Sequence, residues 1–203
     1  MKTAKPIFAL SASLFTSAIL LCAAEGVLFQ DDFKTGAGWD LGSDAAAKII
    51  DGKLIVETAP GKSDDLLFNG QMFQDMSASI NVQILSGGSE SSGGLHFWAK
   101  DYADMCVALI YANGFMEVYR WANQKRSYLS QATEYSAIKK GLGEINLLKV
   151  TTRGAQATIN INGKDVLTVK GEPPSGGSKI GVRASAPEGV KTACFFSNLK
   201  VTK

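Results

Sequence analysis

Residues 77 to 84 alternate strictly: Ser77, Ser79, Asn81 and Gln83 are polar, and Ala78, Ile80, Val82 and Ile84 are apolar. A period of two sends successive side chains to opposite faces of an extended chain, so this stretch reads as a β-strand with one buried and one wet face. Ala157, Ile159 and Ile161, interleaved with Thr158 and Asn160, repeat the pattern. Asp51-Gly52, Asn113-Gly114 and Asn162-Gly163 each stand between two such runs. These residue types accept the positive φ of a tight turn, so each dipeptide predicts a hairpin. Further strands are expected over Leu28 to Phe33, Leu66 to Phe68, Leu95 to Ala99, Ile145 to Val150, Ile180 to Val182 and Phe195 to Val201, each bounded by turn residues. No long amphipathic helix competes with them. The best helical piece is one turn over Tyr135 to Lys140, and Ser86 to Gly94 reads as a long loop. The chain is therefore expected to be all-β, with about a dozen short strands in a two-sheet antiparallel sandwich.

The first residues follow a different logic. Lys2 and Lys5 precede an uncharged run from Ile7 to Cys22, and the small residues Ala23 and Ala24 stand before Glu25. That is the order of a secretory signal, which predicts a leader over 1–24, a mature domain over 25–203 and a periplasmic or extracellular destination. Removing the leader leaves 19 basic and 19 acidic side chains. This balance argues against nucleic acid as a partner, and no later run is long and apolar enough to cross a bilayer. Two cysteines remain, Cys106 and Cys194, both within apolar strand-like runs. In an oxidising compartment they either pair or sit as small buried hydrophobes, and the sequence leaves that open.

Several segments carry a resemblance that spans most of the mature chain. They are Phe29-Gln30-Asp31-Asp32-Phe33 with Gly38-Trp39-Asp40, Asp51-Gly52-Lys53-Leu54, Ala137 to Gly143 before Asn146 and Val150, Ile161-Asn162-Gly163, Ile180-Gly181-Val182, and the closing Phe196-Ser197-Asn198-Leu199-Lys200-Val201. Together they resemble the concanavalin A-like lectin/glucanase sandwich, and within it the exported laminin-G-like and 3-keto-disaccharide hydrolase-like bacterial domains. The resemblance implies a jelly roll of two curved sheets, paired first and last strands, a concave face that often holds carbohydrate, and in many members a structural calcium ion. The clustered oxygens available for calcium are Asp31 and Asp32, which strand pairing would bring near Asn198.

Parity selects the residues of such a face. With Leu95, Phe97 and Ala99 turned to the core, His96 and Trp98 turn away from it; with Met116 and Val118 inward, Glu117, Tyr119 and Trp121 turn outward. Asn123, Arg126 and Tyr128 follow as polar neighbours. Aromatic rings stack on the C–H faces of sugars while carboxylates and amides bond hydroxyls, so His96, Trp98, Glu117, Tyr119, Trp121, Asn123, Arg126 and Tyr128 form the expected saccharide surface. Packing of the two tryptophans beneath a loop is the alternative.

Catalytic signatures are sparse. The single histidine, His96, and the absence of a Cys-x-x-Cys pair speak against a zinc site. No Gly-x-Ser-x-Gly elbow, Walker loop or Gly-x-Gly-x-x-Gly turn occurs. Glycosidases of the resembled fold carry Glu-x-Asp-x-x-Glu or a close variant on one strand, and that string is missing. Asp101, Glu117 and His96 are the candidate acid or base groups, with Asp101 expected in a turn. The sequence thus points first to non-catalytic recognition of a saccharide or glycosylated surface, second to a glycosidic or keto-sugar hydrolase, and third to an envelope structural or interaction domain.

Overall fold

The computed structural model describes residues 26–42 and 46–203; the expected leader and the expected new N-terminus at Glu25 lie outside the described residues. Fourteen strands follow in order: β1 (Val27–Asp31), β2 (Ala47–Ile50), β3 (Lys53–Thr58), β4 (Ser63–Leu67), β5 (Ser77–Ser86), β6 (Ser92–Asp101), β7 (Asp104–Tyr111), β8 (Phe115–Ala122), β9 (Lys125–Glu134), β10 (Ile145–Arg153), β11 (Gln156–Ile161), β12 (Lys164–Lys170), β13 (Lys179–Ser185) and β14 (Thr192–Thr202). Eight of them make one antiparallel sheet in the order β12-β11-β10-β5-β14-β3-β2, with β1 also on β14. The other six run β4-β13-β6-β7-β8-β9. The first and last strands pair, Asp31 opposite Leu199 and Gln30 opposite Lys200.

The alternation seen in the sequence builds the core. Ala78, Ile80, Val82 and Ile84 of β5, with Val150, Ile159 and Phe196 from its sheet, meet Leu95, Phe97, Ala108, Val118 and Val182 of the other sheet in one continuous cluster. Cys106 and Cys194 enter this cluster from opposite sheets as free, buried thiols, and burial pushes both up to about 12. They behave as small hydrophobes.

The hairpins form where expected. Asp51 and Gly52, and Asn162 and Gly163, take positive φ in pairs (49° and 70°, 52° and 87°), as two-residue primed turns require. At Asn113-Gly114 only the glycine is left-handed, at 92°. A further two-residue turn at Asn123-Gln124, φ 53° and 59°, joins β8 to β9 without any glycine.

Two expectations change. Tyr135 to Lys140 is not helical; a single Ile138 N–H to Tyr135 carbonyl bond closes a turn there. The loop expected over Ser86 to Gly94 shrinks to residues 87–91, because β6 already begins at Ser92. Gly94 is required inside that strand by close approach, since a Cβ would lie 2.1 Å from the Ala108 carbonyl oxygen of β7. Composition reads such a Ser/Gly run as a linker, whereas the backbone contact makes it a strand.

Candidate functional site

The candidate site lies on the face of the six-stranded sheet turned away from the core. Its strands contribute alternate residues: Ser63, Asp65 and Leu67 from β4, Arg183 and Ser185 from β13, Ser92 and His96 from β6, Val107, Leu109 and Tyr111 from β7, Glu117, Tyr119 and Trp121 from β8, and Arg126 and Tyr128 from β9. Two apolar clusters floor it. One joins Leu67, Ala99 and Met105, the other Val107, Leu109 and Tyr119, and Trp121 packs against both.

A charged network crosses the middle of this face. His96 is fully buried, with Nε2 2.8 Å from Asp65 Oδ1 and Nδ1 3.3 Å from the Cys106 carbonyl oxygen. Arg183 Nη1 donates to both Asp65 oxygens, at 2.8 and 2.7 Å. Burial works to raise the Asp65 carboxyl, but the bond and charge of His96 and the charge of Arg183 outweigh it and hold the group below the usual aspartate range. With both ring nitrogens engaged and no exposed surface, His96 holds the network together and offers no base to a ligand.

Next to the network the Arg126 guanidinium lies 4.1 Å from the Tyr119 ring centroid and reaches the Tyr128 hydroxyl at 3.3 Å. Its Nη1 is 3.5 Å from Glu117 Oε1. Glu117, only 4% exposed, also accepts a 2.8 Å bond from the Tyr111 hydroxyl. Burial first and this bond second push the Tyr111 phenol up, keeping it a proton donor. The Tyr119 hydroxyl is buried without a partner among the described residues.

Glu117 and Arg126 form one wall of an open cleft of about 490 Å³ at the end of the face where β6 begins and β7 ends. Ser63, Ser92, Tyr111 and Ser185 line it, with Glu90 and Asn113 from the neighbouring loops at its rim.

Of the residues expected on this surface, His96, Glu117, Tyr119, Trp121, Arg126 and Tyr128 are brought together on one face. Trp98 is not. A bulge in the β6–β7 ladder between Phe97 and Asp101, with Trp98 at φ 47°, puts Phe97 and Trp98 on the same side and turns Ala99 outward instead. Trp98 packs at 5.2 Å on Phe97 and is 3% exposed within the core. Alternation carries no trace of a bulge, so the parity argument fails at that point. Asn123 sits in the β8–β9 turn rather than on the face. Asp101 is spent on its own turn, accepting from the Ala103 and Asp104 amides at 2.8 and 3.0 Å.

Two of the residues considered for calcium, Asp31 and Asp32, already have protein partners. Asp31 accepts from the Phe33 amide at 2.7 Å and from the Trp39 indole at 2.8 Å. Asp32 pairs with Lys34 at 2.7 Å, and Asn198 occupies a left-handed irregularity of β14. Among the described residues no group of three or more His, Cys, Asp or Glu side chains is placed to hold a metal.

Ser63, Asp65, Ser92, Tyr111, Arg183 and Ser185 were not expected at the site. Arg183 and Tyr111 had a readable signal: each continues the outward parity of a strand whose alternate residues are apolar. Ser92 had none, because it lies in the Ser/Gly run.

Comparison with known proteins bears on the architecture. No protein-family model matches the sequence, and no curated protein matches it. Among solved structures, the carbohydrate binding module CBM66 from Bacillus subtilis superposes with a TM-score of 0.68 at 15% identity, over 82% of this chain and 96% of that one. The fold is the concanavalin A-like jelly roll. An endo-1,3-beta-glucanase (laminarinase) catalytic domain from Thermotoga petrophila gives 0.65 at 7% identity over 89% and 98% of the two chains. The Bacillus licheniformis beta-glucanase gives 0.65 at 10% over 88% and 98%. These likenesses describe the jelly roll; the chemistry rests on the side chains of this chain.

Proposed function

We propose that the protein is an exported, non-catalytic saccharide-recognition domain whose ligand lies in the cleft beside Glu117. The observation that carries this reading is the setting of Glu117 itself: a nearly buried carboxylate at an open cleft, fixed by the Tyr111 hydroxyl and faced by the Arg126 guanidinium. One Glu117 oxygen is engaged and the other is available, so the group suits accepting bonds from sugar hydroxyls. Tyr128, about half exposed, and the partly exposed Trp121 supply ring faces along the same surface. The likeness to a carbohydrate binding module supports the ligand class, and the predicted leader supports export. A screen of the exported chain against immobilised glycans tests it. Retention on a saccharide, lost in a folded Glu117→Ala variant, is the expected result, and a parent chain that binds no glycan contradicts the reading.

Hydrolysis is the second reading. Glu90 and Glu117 both line the cleft, and two of the structural neighbours are glucanases. Their mechanism calls for an acid and a base or nucleophile flanking one glycosidic bond. Release of new reducing ends from a bound oligosaccharide, abolished by Glu117→Gln with binding retained, would move the assignment to this reading.

A further inference from the structure

Across the cleft the strand register aligns four hydroxyl-bearing residues in one row. Ser63 of β4 pairs with Ser185 of β13, Ser185 with Ser92 of β6, and Ser92 with Tyr111 of β7. All four line the cleft, and Tyr111 hands the row on to Glu117. At the spacing of neighbouring strands, the row spans roughly 14 Å. Three of its members are satisfied: Ser63 and Ser185 share a 2.8 Å bond, Arg183 Nε donates to Ser185 at 3.2 Å, and Tyr111 bonds Glu117. Ser92 is different. It is 1% exposed, its Oγ has no partner among the described residues, and it stands on the outward side of β6, since the next residue, Gly93, faces Val82 and Cys194 in the core. Leaving a buried hydroxyl unpaired costs free energy, and a group aimed at a cleft recovers that cost when a ligand bonds it.

The charge of the cleft narrows the ligand further. Its charged lining residues are Glu90, Glu117 and Arg126, and Arg126 is turned onto Tyr119 and Glu117. The remaining charge is negative, which repels carboxylate and sulfate groups and leaves hydroxyls as the natural partners.

Building on the saccharide reading above, we propose that the cleft selects neutral saccharides through this hydroxyl row, with Ser92 as its specificity-determining contact, and rejects acidic ones. The test uses the full chain titrated with neutral gluco-, manno- and fructo-oligosaccharides and with oligogalacturonate of equal length, alongside urea unfolding. Ser92→Ala is expected to weaken binding of the neutral ligand by about five- to tenfold, the loss of one hydrogen bond, while the unfolding midpoint holds or rises because a buried unpaired polar group has been removed. Ser92→Thr, which keeps the hydroxyl, should retain more affinity than Ser92→Ala. Glu117→Gln should narrow the gap between the neutral and the acidic oligomers. Unchanged affinity in Ser92→Ala, or tighter binding of oligogalacturonate than of every neutral oligomer, overturns this inference alone. A parent chain that binds none of the saccharides overturns the underlying reading as well.

Discussion

The two outward faces of the sandwich are built from the same alternating strands but solve opposite problems. On the eight-stranded sheet the outward residues of β5 and β10 include Ser79, Asn81, Gln83, Leu85, Ile145, Leu147 and Lys149. Leu85, Ile145 and Leu147 are each at least 39% exposed. Their polar neighbours make hydroxyl and backbone bonds, such as Ser77 with Thr151 and Gln83 with the Gly143 carbonyl. On the six-stranded sheet, His96, Glu117 and Tyr119 are all under 5% exposed although they face away from the core. They are held among charges, His96 by Asp65, Asp65 by Arg183, and Glu117 and Tyr119 by Arg126. Burying ions costs desolvation that an apolar face avoids, so such a network is poorly explained as a means of stability. Its Glu117 and Arg126 line the cleft, and the proposed recognition requires donors and acceptors held at set positions.

Trp98 gives the largest effect that would sharpen this contrast, because it belongs to neither face. Cutting it to alanine should remove about 3–5 kcal/mol of folding free energy, read by urea unfolding. A small loss would place the ring back on the surface and undo the bulge assignment.

Breaking the network comes next. Asp65→Asn leaves Arg183 and the buried His96 without their carboxylate and should cost about 3 kcal/mol. Its pH signature is specific. The native Asp65 carboxyl titrates below its ordinary value of 3.8, so its contribution is complete above that pH and is lost as pH falls through the depressed native value. Unfolding free energy followed from pH 6 downward should therefore fall more steeply below about pH 4 in the parent than in Asp65→Asn. Parallel curves would show that Asp65 is not held by His96 and Arg183.

The smallest effect belongs to the other sheet. Leu147→Thr should change stability by no more than about 0.5 kcal/mol and leave glycan affinity untouched in the same titration. A loss of binding there would reverse the assignment of the faces.

How much of this was legible in the sequence depended on whether a position obeys alternation. The β5 run and the Asp51-Gly52 and Asn162-Gly163 turns were readable because their residue types leave one backbone solution. Glu117, Tyr119 and Trp121 were readable for the same reason, since β8 pairs with β7 in unbroken register. Trp98 was lost to a bulge, and β9 was missed because it is an edge strand with little buried on either side, so its composition carries no apolar period. The hydroxyl row was hidden for another reason. Its members come from four strands, and only tertiary pairing puts Ser63, Ser185, Ser92 and Tyr111 in one line.

The central claim is that one outward face binds sugar and the other does not. Amide chemical-shift mapping of the full chain, titrated with a neutral oligosaccharide retained in the glycan screen, tests it most directly. The account predicts that the perturbed amides cluster at Ser92, Tyr111, Glu117, Arg126 and Ser185, with Asn81, Gln83, Ile145 and Leu147 unmoved. Shifts centred on the eight-stranded sheet, or none near the cleft at saturating ligand, would contradict it.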